Sequence, residues 1–351
     1  MKTGTNTKIR LPAEWEKQGA ILLAWPHPHT LWASYIEQAE QVVLAVAAAI
    51  SRYSSLIIIA GDTKYTWKKL RKAGVYLDRV TLADVDTNDI WTRDYGPITV
   101  LKSGSPVLVK FKFNGWGRKY PSAKDNLAAE RLQKAGIFGS TPIRHEPIVL
   151  EGGSIDSDGK GTILTTSTCL LNPNRNLPLS KSAIEKHLKK ALGAKQVLWL
   201  NHGQLEGDDT DAHVDTLARF APGNTIVYVS CNDKKDSHYT ELKMIEAELK
   251  ALRTLSGRRY KLLPLPWPSA KYDSKDNRMP ATYANFLVVN GAVLVPVYRD
   301  KNDKKALKVI SRAFPGYKIE GIDCRTLIRN HGSLHCITMQ IPSDVFKKQA
   351  K

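Results

Sequence analysis

Hydrophobic and polar positions along the chain follow two periods, and segments of the two kinds recur in a regular order. Apolar residues spaced three or four apart predict amphipathic helices, and short apolar runs predict strands. The helical patterns begin 57 to 64 residues apart, near Lys64, Lys124, Lys181, Thr240 and Lys304. β-Rich runs follow them, at VTLADV, PIVLEGG, QVLWL, KLLPLP and YKIEGID, with further strands at PVLVKF, GTILTT, NTIVYVS, NFLVVN and AVLVPV. A period of about 60 residues predicts a mixed α/β fold made of repeated units.

The repeats run through the chain without a break. No stretch rich in Pro, Gly or Ser divides it, so a single domain covering 1–351 is expected. The longest apolar run, VVLAVAAAI, is too short to span a membrane, and the first residues contain no apolar segment of the kind that a secretory signal needs. The four cysteines are far apart and form no CxxC pair, which favours free thiols and a cytoplasmic location.

The formal net charge of +18 raises nucleic acid as a partner. The lysines and arginines are scattered through helical patterns such as KKLRKAG, without an aromatic RNA-binding motif or a Cys/His finger. A solvated basic surface therefore explains the charge better than a nucleic-acid site does.

One segment runs against this charge. In EGDDTDAHVD, from Glu206 to Asp215, five of ten residues are acidic, and carboxylates crowded together repel one another unless a cation lies between them. His213 stands two residues from both Asp211 and Asp215, so in an extended segment the three side chains would share one face. The segment predicts a site for a cation, to which Asp208 and Asp209 also contribute acid groups. The alternative is a calcium-type loop or an Asp-rich helix start, although the Gly and terminal Glu of an EF-hand are missing.

Other reactive residues fall at a common phase of the repeat. Asp94, Glu151, His213 and Cys336 each lie 27 to 32 residues after the start of a helical pattern. Equivalent positions of a cyclic repeat meet around one axis, so a thiol, a base and carboxylates would share one cavity. Cys336 is expected on a short strand after a turn, with His335 facing the opposite side and therefore unable to act as its base.

Each of these residues also has a plainer interpretation. Cys336 would otherwise be a buried structural thiol, because free cysteine is among the most buried residue types. Asp94 in NDIWTRDYGP would pair locally with Arg93. Glu151 would precede an ordinary hairpin that turns at Asp158-Gly159, although the two glycines after Glu151 also allow a backbone to approach a ligand closely.

Six segments together resemble the agmatine deiminases, in an order that spans nearly the whole chain: NDIWTRDYGP, FNGWGRKYP, LEGGSIDSDGKGTILTTSTCLLNPNRN, GDDTDAHVDTLARF, PATYANFLVVN and HGSLHCITMQ. The resemblance implies a five-bladed pseudo-symmetric α/β propeller of the guanidine-modifying superfamily. It implies Cys336 as nucleophile and His213 as acid/base, with Asp94, Glu151 and Asp215 around the guanidinium and Trp91 and Trp116 as pocket walls. One departure is Ala212, where the family commonly has glycine, and a positive φ there would strain the loop.

The implied reaction is hydrolysis of agmatine, a small cationic molecule, to N-carbamoylputrescine and ammonia through a covalent amidino-thioether. Asp208, Asp209 and Asp211 are expected to bind the substrate, and Glu206, Asp208 and Asp209 are the acids available to its second ammonium. No cofactor or metal is expected, because the chemistry needs no Lewis acid and the sequence contains no metal-ligand spacing. Two alternatives stay open at this point, a peptidylarginine or arginine deiminase and a non-catalytic propeller that binds a polyamine or nucleic acid. A homodimer is also left open.

Overall fold

The computed structural model describes residues 8–346, so both ends of the predicted 1–351 domain lie outside the described residues. The strands are β1 Ile9–Arg10, β2 Gln18–Ala24, β3 Ser55–Ile59, β4 Val80–Ala83, β5 Ile98–Lys102, β6 Ser105–Lys112, β7 Ile143–Val149, β8 Ile155–Ser157, β9 Thr162–Thr166, β10 Gln196–Leu200, β11 Ala218–Ala221, β12 Thr225–Val229, β13 Lys261–Leu265, β14 Lys271–Tyr272, β15 Arg278–Met279, β16 Leu287–Val289, β17 Ala292–Val297, β18 Lys318–Asp323 and β19 Met339–Pro342.

The helices are α1 Ile36–Ser51, α2 Thr63–Lys72, α3 Thr92–Tyr95, α4 Gly115–Arg118, α5 Ala128–Lys134, α6 Ser167–Leu170, α7 Pro173–Asn176, α8 Lys181–Leu192, α9 Tyr239–Ala251 and α10 Asp303–Ala313. Short 3-10 helices cover Ala33–Tyr35, Leu77–Arg79, Asp125–Leu127, Gly152–Ser154, Val214–Thr216 and Leu327–Asn330. None of the helices within 8–346 is long and apolar enough to cross a membrane.

The predicted mixed α/β class is confirmed, and the predicted strands coincide with strands of the structure. Four of the five predicted helix starts fall within a residue of an observed helix, as at α8, while the pattern at Lys124 begins a 3-10 turn that leads into α5. Local sequence explains the bounds of α8. The Ser180 hydroxyl accepts from the N–H of Ala183 at its start, and Gly193, with φ of 71°, ends it.

Five sheets of three or four strands follow one plan. In four of them, an antiparallel pair is followed by a helix and a third strand that runs parallel to the middle one, as in β11–β12–α9–β13. The fifth sheet combines the two ends of the described chain, because β19 pairs antiparallel with β2. From β2 the chain continues through α1 to the parallel strand β3, and then through α2 to β4. A separate two-stranded ribbon joins β14 and β15.

In the fifth sheet, the helix equivalent to α5, α8, α9 and α10 of the other sheets is α1, which was not predicted from the sequence. It is buried along most of its length, with Val43, Val46, Ala47 and Ile50 inaccessible to solvent. Its exposed polar residues, Glu37, Gln38 and Gln41, lie only in the first turns. The apolar run VVLAVAAAI that follows lacks the polar face from which helical periodicity is recognised. The pattern counted there instead, at Lys64, is α2, an additional helix between β3 and β4.

The larger sheets share a connected core of buried apolar side chains. Loops, several of which contain short helical turns, lead into the first strand of each antiparallel pair, and these loops carry the polar residues singled out in the sequence. Asp94 lies just before β5, Glu151 before β8, His213 and Asp215 before β11, and Cys336 before β19. The corresponding loop before β16 carries Asn285.

Candidate active site

The thiol of Cys336 lies in a turn ahead of β19, so its expected place on a strand was wrong. The side chain of Asn285 holds this turn, because its Oδ1 accepts from the backbone N–H of His335 at 2.9 Å and lies 3.4 Å from the Cys336 Sγ. Burial raises the pKa of Cys336 well above its ordinary value, and the carboxylates of Asp215 and Asp94 raise it further. Both effects favour the neutral form of the thiol.

The imidazole of His213 is buried, and neither ring nitrogen has a hydrogen-bond partner among the described residues. Its Nδ1 lies 3.7 Å from Asp94 Oδ1. Burial opposes the charged ring, but the Asp94 carboxylate, the Cys169 sulfur and Glu151 outweigh it and raise the pKa of His213 well above the ordinary value. These surroundings favour the protonated form of the imidazole.

Asp94, on the short helix α3, is held by two donors. Its Oδ1 accepts from the backbone N–H of Gly153 at 3.0 Å, and its Oδ2 accepts from the indole N–H of Trp116 at 2.9 Å. Trp116 itself sits at φ of 53°, a left-handed conformation that costs a non-glycine residue roughly 1–3 kcal/mol. Burial raises the pKa of Asp94 to about 6, with His213 acting against this and Asp215 adding to it.

Glu151 follows β7 and is fixed by a residue that the sequence analysis passed over. Arg175, on α7, donates from Nε to Glu151 Oε1 at 2.8 Å and from Nη1 to Asp211 at 2.6 Å. The other oxygen of Glu151, Oε2, has no partner among the described residues. Arg175 lies at the end of the motif LEGGSIDSDGKGTILTTSTCLLNPNRN, which contributed to the resemblance without Arg175 being singled out.

Asp215 is also held on one side only. Its Oδ2 accepts from His335 Nδ1 at 2.7 Å, while its Oδ1 is buried without a partner among residues 8–346. Burial would raise the pKa of Asp215, but the hydrogen bond and charge of His335 outweigh it and lower that pKa.

Gly153 shows how closely these groups converge. A Cβ at this position would lie 2.7 Å from His213 Nδ1, 2.9 Å from Asp94 Oδ1 and 3.1 Å from Asp215 Oδ2. Gly152 is equally restricted, because a Cβ there would lie 2.1 Å from the carbonyl oxygen of Arg93. The two glycines after Glu151 thus allow the close backbone approach that the sequence suggested.

A cleft of about 400 Å³, partly open to solvent, leads to Asp94 and Cys336. The indoles of Trp91 and Trp116 line it, as the resemblance implied. Around them are residues that the sequence analysis did not select, Asp89, Tyr120 and His331. Asp89 lies in the motif NDIWTRDYGP with Asp94, and Tyr120 lies in FNGWGRKYP with Trp116. Their position beside a selected residue was the only feature of the sequence that could have indicated a place in the cleft.

The acidic run does not present its residues on one face. Asp211 and Ala212 both have φ of 65°, so the segment before His213 is not extended. Asp209 lines the cleft, where it accepts from the Tyr120 hydroxyl at 2.8 Å. Asp208 instead accepts from the backbone N–H of Ala212 at 2.7 Å, and Asp211 pairs with Arg175 and Lys119.

The prediction that Asp208 and Asp211 contact the substrate therefore needs correction. Neither residue is among those that line the cleft. Asp208 shapes the loop through its hydrogen bonds, and Asp211 neutralises basic side chains.

Folding also brings together one group that offers metal-ligand atoms. A carboxylate oxygen of Glu151, the sulfur of Cys169 and a ring nitrogen of His213 lie within 4.8 Å of one another. Because these residues are far apart in the sequence, their spacing gave no sign of the cluster. All four cysteines, including Cys169, are buried free thiols, as predicted.

Comparison with known proteins agrees with the motifs. The profile of the Porphyromonas-type peptidyl-arginine deiminase family matches residues 10–342. The agmatine deiminase of Medicago truncatula is 32% identical, over 97% of this chain and 98% of that protein. The structure of the "putative arginine deiminase from Porphyromonas gingivalis" is 45% identical with a TM-score of 0.92, covering 97% of this chain and 100% of that one. A C. jejuni agmatine deiminase with substrate bound is 38% identical with a TM-score of 0.90, covering 96% and 97%. The chain therefore belongs to the Porphyromonas-type peptidyl-arginine deiminase family and is a homologue of the agmatine deiminases.

Proposed function

We propose that this protein is an agmatine deiminase, which hydrolyses agmatine to N-carbamoylputrescine and ammonia. The observation that carries the proposal is the convergence of His213, Asp94 and Asp215 on Gly153, below an indole-walled cleft that also reaches the thiol of Cys336. Relatives that carry this activity in their names align over almost the whole chain.

Asp94 and Asp215 would hold the guanidinium. A planar guanidinium presents five N–H donors in a fixed fork, and carboxylates match it. Asp215 Oδ1 is buried without a partner in the described residues, which leaves it ready for such a donor. Each close ion pair is worth up to ~4 kcal/mol at an effective dielectric constant of 20, before desolvation is subtracted. Glu151 would keep the charge and orientation of His213 while Arg175 fixes its other oxygen.

The entering cation would favour the thiolate of Cys336, whose proton passes to solvent. The sulfur attacks the guanidinium carbon, the C–S bond forms, and a C=N electron pair moves to nitrogen. Protonated His213 then donates a proton to the leaving nitrogen, the C–N bond breaks, and ammonia departs. A water molecule next attacks the same carbon and gives its proton to neutral His213. The C–S bond breaks, the remaining proton of the attacking water passes to the departing sulfur, and the ureido product leaves without a charge to hold it.

The cleft favours agmatine over arginine. Asp89 and Asp209 line it, and no lysine or arginine is among the described residues that do so. Burial raises the pKa of Asp89 to about 6, and a second ammonium beside this carboxyl would favour its ionised form and pair with it. Free arginine would bring an α-carboxylate to these acids, where it would be repelled.

We infer that the five larger sheets are blades of one propeller-like domain around this site. Two observations support the inference. The loop before the antiparallel pair of each sheet supplies Asp94, Glu151, His213 with Asp215, Asn285 or Cys336 in turn. The pairing of β19 with β2 joins the two ends of the described chain in one sheet, as closure of a ring requires. The buried free thiols also support a reducing compartment such as the cytoplasm.

Ammonia release from agmatine, arginine and a peptidyl-arginine substrate tests the proposal. We expect release from agmatine with the highest kcat/KM, and none from any of the three with Cys336→Ser. Preference for peptidyl-arginine would support the activity in the family's name instead. If the wild type is inactive but calorimetry shows that Cys336→Ser binds agmatine, the protein binds agmatine without hydrolysing it.

A further inference from the structure

His335, directly before Cys336, has both ring nitrogens bonded to carboxylates. Nδ1 lies 2.7 Å from Asp215 Oδ2, and Nε2 lies 2.7 Å from Glu14 Oε2. The side chain is 3% exposed, so both hydrogen bonds are largely shielded from bulk water. Carboxylate oxygens only accept, hence both nitrogens donate and the ring is an imidazolium.

The network continues behind His335. Glu14 also accepts from Arg219 Nη2 at 2.6 Å and from the backbone N–H of Val288 at 2.7 Å. Arg219 Nε in turn lies 3.4 Å from Asp156 Oδ1. Positive and negative side chains thus alternate from Asp215 to Asp156, and every one of them is buried. Each charge is stabilised by its neighbours, as buried charges require.

A second cavity lies on this side of the network. It is lined by His335, Glu14, Arg93 and Asp156, whereas Cys336 and Asp94, the neighbours of His335 and Arg93 in sequence, line the substrate cleft. The same two chain segments therefore present the reactive residues to one side and the supporting charges to the other.

We propose that His335 is a positioning residue for Asp215: as a buried cation it keeps that carboxylate ionised and fixes one oxygen, so that the other is presented to the guanidinium. The inference rests on the proposed function, in which Asp215 binds that group. It also explains why the histidine beside the nucleophile is not its base, because neither nitrogen is free to accept a proton from Cys336.

Two substitutions of His335 separate its hydrogen bond to Asp215 from its hydrogen bond to Glu14. In His335→Asn the amide nitrogen lies near the position of Nδ1 and can still donate to Asp215, while in His335→Gln it lies near Nε2 and can donate only to Glu14. Both lose the charge. His145→Gln serves as the control, because His145 has a side chain that is 62% exposed. Thermal melting first establishes which variants fold.

We expect kcat/KM for agmatine to fall roughly 10- to 150-fold in His335→Gln, the range for a lost hydrogen bond to a charged group. The rise in KM should account for more of the loss than the fall in kcat. His335→Asn should lose less, and His145→Gln should match the wild type. Equal losses in the Asn and Gln variants, or a change in kcat alone, would overturn the proposal.

The pH profile gives a readout that simple structural damage does not move. Asp215 is faced by the charged or titratable groups His335, His213, Arg219, Arg93, Cys336 and Asp94. Loss of the His335 cation removes an interaction that favours the carboxylate, so Asp215 should protonate at higher pH. Because Asp215 would then titrate together with Asp94, whose pKa is about 6, the acid limb of kcat/KM should become steeper and move to higher pH in His335→Gln. An unmoved limb with a uniformly lower rate would indicate a structural role alone.

A measurement on the unaltered protein covers the case in which the variants do not fold. Nitrogen-15 NMR of histidine-labelled protein near neutral pH should show both nitrogens of His335 protonated. A neutral ring would overturn the proposal. Because this measurement needs no turnover, a wild type that is inactive on agmatine would refute the proposed function while the charge of His335 is still determined.

Discussion

Replacing Asp94 by asparagine tests the proposed guanidinium site with the least change in shape. Both protein partners of the carboxylate, the N–H of Gly153 and the indole N–H of Trp116, can only donate. Asparagine has one acceptor oxygen and one NH₂ group. In either orientation an amide donor therefore faces a protein donor, and the negative charge is gone.

The size of the effect follows from these two losses. A buried donor without an acceptor costs roughly 1–3 kcal/mol. The lost attraction between Asp94 and the guanidinium adds up to ~4 kcal/mol at an effective dielectric constant of 20. Part of this is offset, because the wild-type carboxylate is itself costly to bury and its pKa is raised to about 6. A net loss of ~3–4 kcal/mol corresponds to a fall in kcat/KM of about 10²–10³.

Ammonia release from agmatine, measured well above the titration of Asp94, provides the assay. Asp78→Asn is the matched control, since Asp78 is an exposed acid and should change kcat/KM by no more than about twofold. In the wild type, kcat/KM should fall as the pH drops through about 6, because the protonated carboxyl no longer pairs with the guanidinium. In Asp94→Asn that fall should be absent. An asparagine variant within tenfold of the wild type, or one that keeps the acid limb near pH 6, would refute the assignment.

Three further outcomes follow from the same geometry. Gly153→Ala should lower kcat/KM at least ~100-fold, because its Cβ would meet three polar groups at 2.7–3.1 Å, and overpacking should destabilise the fold by ~1–3 kcal/mol. Gly61→Ala, where a Cβ meets only one side-chain oxygen at 3.6 Å, is its control, and equal activity of the two variants would contradict the argument. Ala212→Gly should raise the free energy of unfolding, measured by urea titration, by ~0.5–1 kcal/mol. The relief of the left-handed strain at Ala212 exceeds the entropy cost of glycine. Unchanged or lower stability would show that Ala212 is not strained. Treatment with EDTA should leave ammonia release unchanged, since the proposed steps need no Lewis acid, and a loss restored by one divalent metal would overturn them.

The sequence by itself determined many of the strands and helices and their order, although α1 was missed. Strand and helix patterns are local, with periods of two and 3.6 residues, and they coincide with elements such as β12 and α8. The motifs also identified the family, and the regular phase of Glu151, His213 and Cys336 matches their positions in loops before antiparallel strands, whereas the phase of Asp94 was counted from the additional helix α2. These features depend on spacing along the chain, which the sequence contains directly.

The direction of side chains in the loops was decided only by the tertiary structure. Asp208, Asp209 and Asp211 are near neighbours in sequence, yet one caps the loop, one lines the cleft and one pairs with a distant arginine. Left-handed residues turn that segment, and partners such as Arg175 come from another part of the chain.

The support for Asp215 depends on the fold in the same way. Glu14 and His335 are separated by 321 positions and meet only because the sheets bring both ends of the chain together. Buried charges select their partners by distance and desolvation, and neither quantity is defined before the chain has folded.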